Sequence, residues 1–515
     1  MSCVLGIDKG TTATKVVVFD ALTGAALGAS SRRTPVFHPR PDWHEEDMDQ
    51  TFAAVVATIG EAVAAAGVAP DAIRAIGVSG HMGGLWALDG ERRPVGPAIA
   101  WPDARAAALL EEWAAEGLTE RVYRVSGNAA IPGVPLVLLA WLKRHDPARY
   151  ARIETLFFAK DYINFRLTGE IATDESDLSF FPCDIRERRI SGELMALAGI
   201  ADMTARVAPV RRIGDTVGHL SDEAAALTGL AAGIPVVTGA GDAVAAAIGV
   251  GALQAGEAVT VIGTSFMNNL TMDFPQLEPA NVGFLFLMPE GRWQRLMSNT
   301  GGGSLCLDWV LQAFGQKEYG PPDAAVWERI EKDVRATPPL PGGMLIHPYF
   351  GTSGMTAPRH EPAARGSVFG LGLTSSPAAL VRAVMEGVAL AMVDCYGALA
   401  ADVTSIRITG GGARSAIWRE ICAAAVNRPL SLPEVEETGA LGVAMLAAVA
   451  AGVQPDLATA SARMVRVAST VDPDPALAAR YADAYPLFRD LGADLAPLWK
   501  HRARLVQARA AKDMP

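Results

Sequence analysis

The sequence predicts an α/β chain built from two similar halves, and three observations carry that reading. Short apolar runs alternate with Ala- and Leu-rich amphipathic stretches: AIRAIGVSG (72–80), GIPVVTGAG (233–241) and SIRITGGG (405–412) each read as a strand next to a helix. A hairpin with a polar tip occurs twice, in GIDKGTTATKVVVFD (6–20) and in EAVTVIGTSFMNNLTMDF (257–274). Half of the 515 residues are apolar, enough for a large core in each half. The repeat sets a domain boundary near residues 230 to 245, with domains expected over 1–238 and 239–515. No low-complexity linker separates them, so the halves are expected to pack around a cleft.

The first hairpin is the densest stretch of chemistry. Val4, Leu5 and Ile7 run into Asp8, and Val16 to Phe19 run out to Asp20. Between them lie Lys9, Gly10, Thr11, Thr12, Ala13, Thr14 and Lys15. A glycine lets backbone approach a ligand closely, and successive N–H groups there can cradle phosphate oxygens. The hydroxyls of Thr11 and Thr12 add donors, and Lys15 adds positive charge. Asp8 would repel bare phosphate but suits a Mg²⁺ ion held through water. The order is not that of a P-loop. An ordinary polar turn is the alternative, and the matched Gly263-Thr264-Ser265 in the second hairpin favours a paired phosphate site.

Further along, Ala53 to Gly67 reads as an amphipathic helix carrying Glu61. His81 and Met82 follow the 72–80 strand and precede Gly83-Gly84, a ligand-facing position at a strand's carboxyl end. Trp101 offers an aromatic face, while Asp103 and Arg105 can bond a ligand or each other. Asp242 closes an apolar strand and opens an Ala-rich helix, as a helix cap or as a general base. Gly301-Gly302-Gly303 and Gly410-Gly411-Gly412 each precede a helix. In the latter, Ser415 stands where a dinucleotide fingerprint needs its third glycine, so a dinucleotide fold is not expected. The mixed run Lys500 to Lys512 reads as a solvated amphipathic helix.

Composition narrows the partners. A net charge of -11 argues against a nucleic-acid face. No apolar run is long enough for a membrane span, and Asp8 and Lys9 interrupt the start of the chain before a signal peptide can form. The five cysteines (3, 183, 306, 395 and 422) are scattered without metal spacing, which predicts a reduced, cytoplasmic protein.

Taken together, these stretches resemble a known family. GIDKGTTATK resembles the first phosphate loop of the sugar-kinase, actin and heat-shock chaperone superfamily, and Ile262 to Ser265 the second. Within it, residues 4 to about 452 resemble the FGGY carbohydrate kinases: PDWHEEDMDQTF (41–52), GVSGHMGGLWALD (77–89), AWPDAR (100–105), KDYINFRLTGEIATDESD (160–177), GAGDAVAAAIGVGAL (239–253), TGGGARSAIWREICAAAVNRPL (409–430) and EETGALGVAMLAAVAAG (436–452). The resemblance implies two ribonuclease-H-like domains of the actin/hexokinase type around a central cleft. It implies ATP and Mg²⁺, with Asp8, Gly10, Thr11, Thr12, Lys15, Gly263, Thr264, Ser265, Gly302, Gly411, Gly412 and Ala413 on the nucleotide and metal side. Asp242 is then the catalytic base, and His81, Met82, Trp101, Asp103 and Arg105 join it at the acceptor.

Two positions depart from the xylulokinase pattern. Those enzymes read Gly-Gln-Met-His-Gly where this chain has Gly80-His81-Met82-Gly83-Gly84, and Asp-Asn where it has Asp242-Ala243. The space left at Gly83 and Ala243 is expected to admit a different acceptor. The expected activity is phosphoryl transfer from Mg-ATP to a pentulose or related ketose. The alternatives are a polyol kinase, GGLWALD also resembling the erythritol-type enzymes, or a superfamily ATPase of the chaperone or filament type. The expected partner is a small molecule, without nucleic acid or membrane, and a homodimer is the one assembly kept open.

Overall fold

A computed structural model describes residues 2–315, 319 and 324–510. It divides into two compact units. The first comprises Met1–Ala255, Thr271–Arg295 and Glu437–Arg466, and the second Gly256–Leu270, Leu296–Glu436 and Val467–Pro515.

The first unit is built on a seven-stranded sheet. Strands β1 (Cys3–Lys9), β2 (Ala13–Asp20) and β3 (Ala26–Arg33) form an antiparallel meander, with Asp8 opposite Lys15 in the first pair. Helix α1 (Met48–Ala66) follows, its first turn capped by the Asp47 carboxylate accepting from Gln50 N–H at 2.9 Å. Strand β4 (Ile73–Gly80) lies parallel to β1 and sets Ser79 beside Asp8. Helix α2 (Ala159–Thr168) and strands β5 (Thr216–His219), β6 (Pro235–Val237) and β7 (Ala240–Gly241) complete this side, and α3 (Asp242–Gly249) leaves directly from β7. The order is β5-β6-β4-β1-β2-β3, with β7 also on β4. Leu5, Ile7, Val16, Val18, Ile76 and Val78 are fully buried with Trp86 and Tyr162 in the core beneath the sheet.

The Thr438–Ala450 helix, far along the chain, also belongs to this unit. Glycines let it approach closely. A Cβ on Gly6 of β1 would lie 2.1 Å from Ala440 O, and one on Gly77 of β4 would lie 2.1 Å from Val443 O. A Cβ on Gly249 would lie 1.8 Å from Thr438 O, and one on Gly442 would lie 2.0 Å from Ala245 O. Side chains on the sheet surface would hold the helix off, and their absence lets backbone pack on backbone.

The second unit repeats the arrangement. Strand β8 (Glu257–Ile262) pairs antiparallel with β9 (Phe266–Met272), as β1 does with β2. Helix α4 (Pro377–Gly397) precedes β10 (Ser405–Thr409), which lies parallel to β8 as β4 does to β1. Helix α5 (Ala416–Val426), β11 (Leu430–Pro433) and β12 (Val467–Val471) extend the order to β9-β8-β10-β11-β12. The duplicated hairpin read from the sequence is thus a duplicated hairpin with a parallel neighbour.

The terminal helix runs from Pro475 to Ala510 with Leu505 and Val506 exposed, and residues 511 and 512 of the predicted stretch lie outside the described residues. No described helix is long and apolar enough to cross a membrane. All five cysteines are free and buried.

Candidate active site

Four chain segments meet at the carboxyl ends of β1, β4 and β7. Asp8 is the next-to-last residue of β1, and its Oδ1 is buried with no hydrogen-bond partner among the described residues. Burial raises the Asp8 carboxyl above its ordinary value and Glu437 adds to this, while Ser79, Lys15 and Lys9 oppose it. Burial outweighs the two lysine charges, so a further positive charge at this carboxylate would be stabilising.

Lys9 points inward. Its ammonium lies 2.9 Å from Glu46 Oε2 and donates to Gly10 O at 2.8 Å, with both side chains of the ion pair inaccessible. The other Glu46 oxygen lies 3.3 Å from His81 Nε2, and His81 N–H donates to Lys9 O at 3.0 Å. His81 is therefore buried behind the strand ends, next to Glu46. Burial and the Lys9 charge lower its pKa, so the imidazole is neutral.

The expected roles of three charged residues change. Lys15 is bound to Glu437 at 2.8 Å, so its charge is engaged before any phosphate arrives. Asp103 and Arg105 pair with each other through two bonds of 2.8 Å, Nε to Oδ1 and Nη2 to Oδ2. His44 N–H bonds Asp103 Oδ2 at 2.7 Å, Arg105 reaches Glu45 at 2.7 Å, and its guanidinium lies 3.8 Å from the centre of the Trp43 ring. Their side chains are buried, and the structure shows them bonded to each other, the second of the two expected arrangements. Trp101 stays accessible, 40% exposed, and its Nε1–H donates to Thr11 Oγ1 at 2.9 Å, joining the first hairpin tip to the AWPDAR segment. That bond uses Thr11 as acceptor and leaves its O–H free to donate.

Asp242 is reached over a turn that only glycine fits. Gly239 has φ +73°, and a Cβ there would lie 1.7 Å from Val78 O. Gly241 holds the N-cap position and Asp242 is the first residue of α3, so its carboxylate is not the cap. It accepts Ala243 N–H at 2.8 Å and the Met82 N–H. Burial, with the Asp8 charge second, pushes it up to about 7. A helix N-terminus opposes that by about 0.3–1 kcal/mol, less than one pH unit, so burial prevails.

The glycines resolve into two kinds. Gly83 has φ +85°, but the space beside it is taken: a Cβ there would lie 3.0 Å from Phe180 Cε1 and 3.2 Å from Trp101 Cβ. The vacancy expected at Gly83 is thus filled by Phe180, whose ring packs with Phe284 and Phe286 at centroid distances of 5.2 and 5.7 Å. In the second unit, the Gly263-Thr264-Ser265 tip is accessible, and Gly263 O accepts Ser304 N–H at 2.7 Å. A Cβ on Gly303 would lie 2.2 Å from that same oxygen, and Gly410 and Gly412 would meet Ile262 at 2.6 and 2.4 Å. Gly302, Gly412 and Ala413 are buried, whereas Gly411 is exposed with open space beside it. A Cβ on Gly302 would lie 3.0 Å from Asn299 Cβ and 3.1 Å from Pro348 O, so this glycine and Gly412 serve close packing.

Lys9, Glu46, Phe180 and Glu437 are the site residues that sequence reasoning did not single out. Glu46 lay inside the PDWHEEDMDQTF stretch, and Glu437 inside EETGALG, so each sat in a motif without a partner to give it meaning.

Residues 3–249 match the N-terminal domain of the FGGY family of carbohydrate kinases, and residues 258–451 match its C-terminal domain. The chain is 32% identical to a xylulose kinase from Escherichia coli (strain K12) over 504 residues, covering 96% of this chain and 99% of that one. It is 29% identical to an erythritol kinase from Brucella abortus (strain 2308) over 506 residues, covering 96% and 97%. The crystal structure of a xylulose kinase from Rhodospirillum rubrum superposes with a TM-score of 0.87 at 28% identity, covering 97% of this chain and all of that one. The architecture is the two-domain α/β, actin/hexokinase-like fold of these kinases, which sets aside the chaperone and filament alternatives. Matched over both halves, the chain belongs to the FGGY family of carbohydrate kinases, phosphotransferases that act on an alcohol group.

Proposed function

We propose that this kinase transfers the γ-phosphoryl group of Mg-ATP to a hydroxyl of a small neutral sugar, a pentulose or related ketose, in carbohydrate catabolism. The observation that carries the reading is Asp242, a carboxylate at a strand end with its pKa pushed up to about 7. A general base works best when its pKa lies near the operating pH, where it is both free to take a proton and basic enough to hold it. Asp242 accepts the acceptor hydroxyl's proton as that oxygen attacks phosphorus, while the Met82 and Ala243 N–H groups hold its carboxylate in place.

The orphaned, buried Asp8 Oδ1 fits a divalent cation, held directly or through water. Such an ion would supply neutralisation of phosphate charge. Thr11, Thr12, Gly10 and the Gly263-Thr264-Ser265 tip are assigned to phosphate, and Gly411 to the nucleoside. Thr11→Val and Thr264→Val are each expected to weaken binding of a non-hydrolysable ATP analogue by about 1.5–3 kcal/mol, roughly 10- to 150-fold, in isothermal titration. Unchanged dissociation constants in both variants would leave the hairpins as ordinary turns.

The acceptor's class is argued from charge. Lys9, Lys15 and Arg105 each face a carboxylate of the chain, at 2.9, 2.8 and 2.8 Å. The described strand-end segments thus offer no unpaired cation to a carboxylate-bearing acceptor, and a neutral one is favoured. Among neutral acceptors, Phe180 against Gly83 and the bare methyl of Ala243 remove two polar contacts of the xylulokinase pattern. A site lacking a polar partner cannot select for the matching hydroxyl. D-xylulose is therefore expected to be surpassed in kcat/KM by another ketose or a linear polyol such as erythritol. A panel of pentuloses, hexuloses, tetritols and gluconate, followed by coupled ADP release, tests this. Gluconate leading the panel would overturn the neutral-acceptor reading, and D-xylulose leading it would overturn the finer claim. Five free, buried cysteines support a reducing, cytoplasmic setting.

A further inference from the structure

The stretch KDYINFRLTGEIATDESD has no part in the chemistry above, yet it builds the most highly charged buried node among the described residues. Lys160, at the start of α2, is inaccessible. Its ammonium contacts Asp161 and Asp174, and lies 2.9 Å from Asp177 Oδ2. All three carboxylates are buried as well. One cation among three acids is short of positive charge, and burial raises the Asp177 carboxyl well above the ordinary range.

The node leads to a single point. Asp174 Oδ1 accepts both the Ser176 hydroxyl and, at 2.7 Å, the Ser176 N–H. With its proton committed to Asp174, the Ser176 oxygen is free to accept, and it takes Gly241 N–H at 2.8 Å. Gly241 is the residue immediately before Asp242. It is wedged between two neighbours: a Cβ there would lie 2.4 Å from Met82 Cγ and 3.1 Å from Asp177 Oδ1. The same node touches the other strand end, since a Cβ on Gly80 would lie 3.1 Å from Lys160 Cβ. Gly80 and Gly241 are paired across β4 and β7. A chain of buried, charge-assisted bonds therefore fixes the peptide from which the Asp242 carboxylate projects.

We propose that Ser176, oriented by Asp174 and the Lys160 ammonium, is a positioning residue for Asp242. It touches neither acceptor nor nucleotide and acts by holding the Gly241 N–H. This rests on the reading of Asp242 as the base. A misplacement of about 1 Å at a catalytic group costs on the order of 100-fold in rate, while a bond remote from the nucleotide leaves its affinity alone.

The test is a double-mutant cycle in single-turnover product formation, with Ser176→Ala, Asp242→Asn and the pair. Ser176→Ala is expected to lower kcat by about 10- to 100-fold with the KM for ATP within about twofold. In the Asp242→Asn background the same change is expected to have no further effect, because a group that acts only through the base has nothing left to act on. Ser176→Thr, which keeps the hydroxyl, is expected to recover most of the lost kcat. Equal losses in both backgrounds would show a general structural role and overturn the proposal, as would an unchanged kcat in Ser176→Ala. Should Ser176→Ala not fold, Ser176→Cys, which keeps the volume and only weakens the acceptor, enters the same cycle with the same criteria. Failure of the underlying reading shows separately, as an Asp242→Asn single variant that keeps its turnover.

Discussion

Asp242→Asn is expected to give a folded protein that binds ATP normally and turns over about 10²–10⁴ times more slowly. The amide has the shape of the carboxylate and can still accept the Ala243 and Met82 N–H bonds through its oxygen. It cannot accept a proton at physiological pH. The pH dependence carries the same assignment. With the carboxyl at about 7, the base is free above that pH and protonated below it. The acceptor's kcat/KM, which reports the free enzyme, should therefore fall about tenfold per unit as pH drops below 7. The residual rate of Asp242→Asn should lack that limb. Retention of more than about a tenth of wild-type turnover by the variant, or an identical acid limb in both enzymes, would remove Asp242 from the base role.

The second large effect is on stability. Gly77→Ala is expected to destabilise the protein by about 1–3 kcal/mol, lowering its melting temperature by several degrees. Two effects oppose each other. Replacing a strand glycine with alanine restricts the unfolded chain and gains roughly 0.4–1 kcal/mol. The new methyl, however, would lie 2.1 Å from Val443 O, a backbone atom inside a helix that cannot swing aside. Overpacking of that kind costs more than the entropy returns. Differential scanning calorimetry decides it: a melting temperature equal to or above wild type would mean that the Thr438–Ala450 helix yields easily. Gly60 offers a control, since a Cβ there meets nothing within 4 Å, and alanine is favoured over glycine inside α1.

Both hairpins, their repetition and the placement of Asp242 were legible because each is local. A strand, a glycine with hydroxyls and a second strand make a pattern within 15 residues, and an acid between an apolar run and an Ala-rich helix has few other interpretations. Partners were not legible. Lys15 reads as a phosphate ligand until it meets Glu437, 422 positions away. Asp103 and Arg105 are two apart, and only the fold shows that His44, Glu45 and Trp43 enclose them. His81 was placed on the correct loop, but which way its ring turns depends on Glu46 and Lys9. The void inferred at Gly83 illustrates the same limit: a missing side chain is visible in a sequence, and its replacement by Phe180 is not.

The position of the Thr438–Ala450 helix also sets an order of events during synthesis. The first unit's sheet packs that helix against Gly6 and Gly77, yet the helix is encoded after two of the second unit's three segments. At about 5–20 residues per second, translating residues 256 to 450 takes roughly 10–40 s. Throughout that interval the glycine-lined face of β1 and β4 has emerged from the ribosome with nothing to cover it. Completion of the first unit thus waits on synthesis of the second unit's Gly256–Leu270 and Leu296–Glu436, and a chain that stalls before the helix leaves neither Asp242 nor the buried Asp8 in a finished setting.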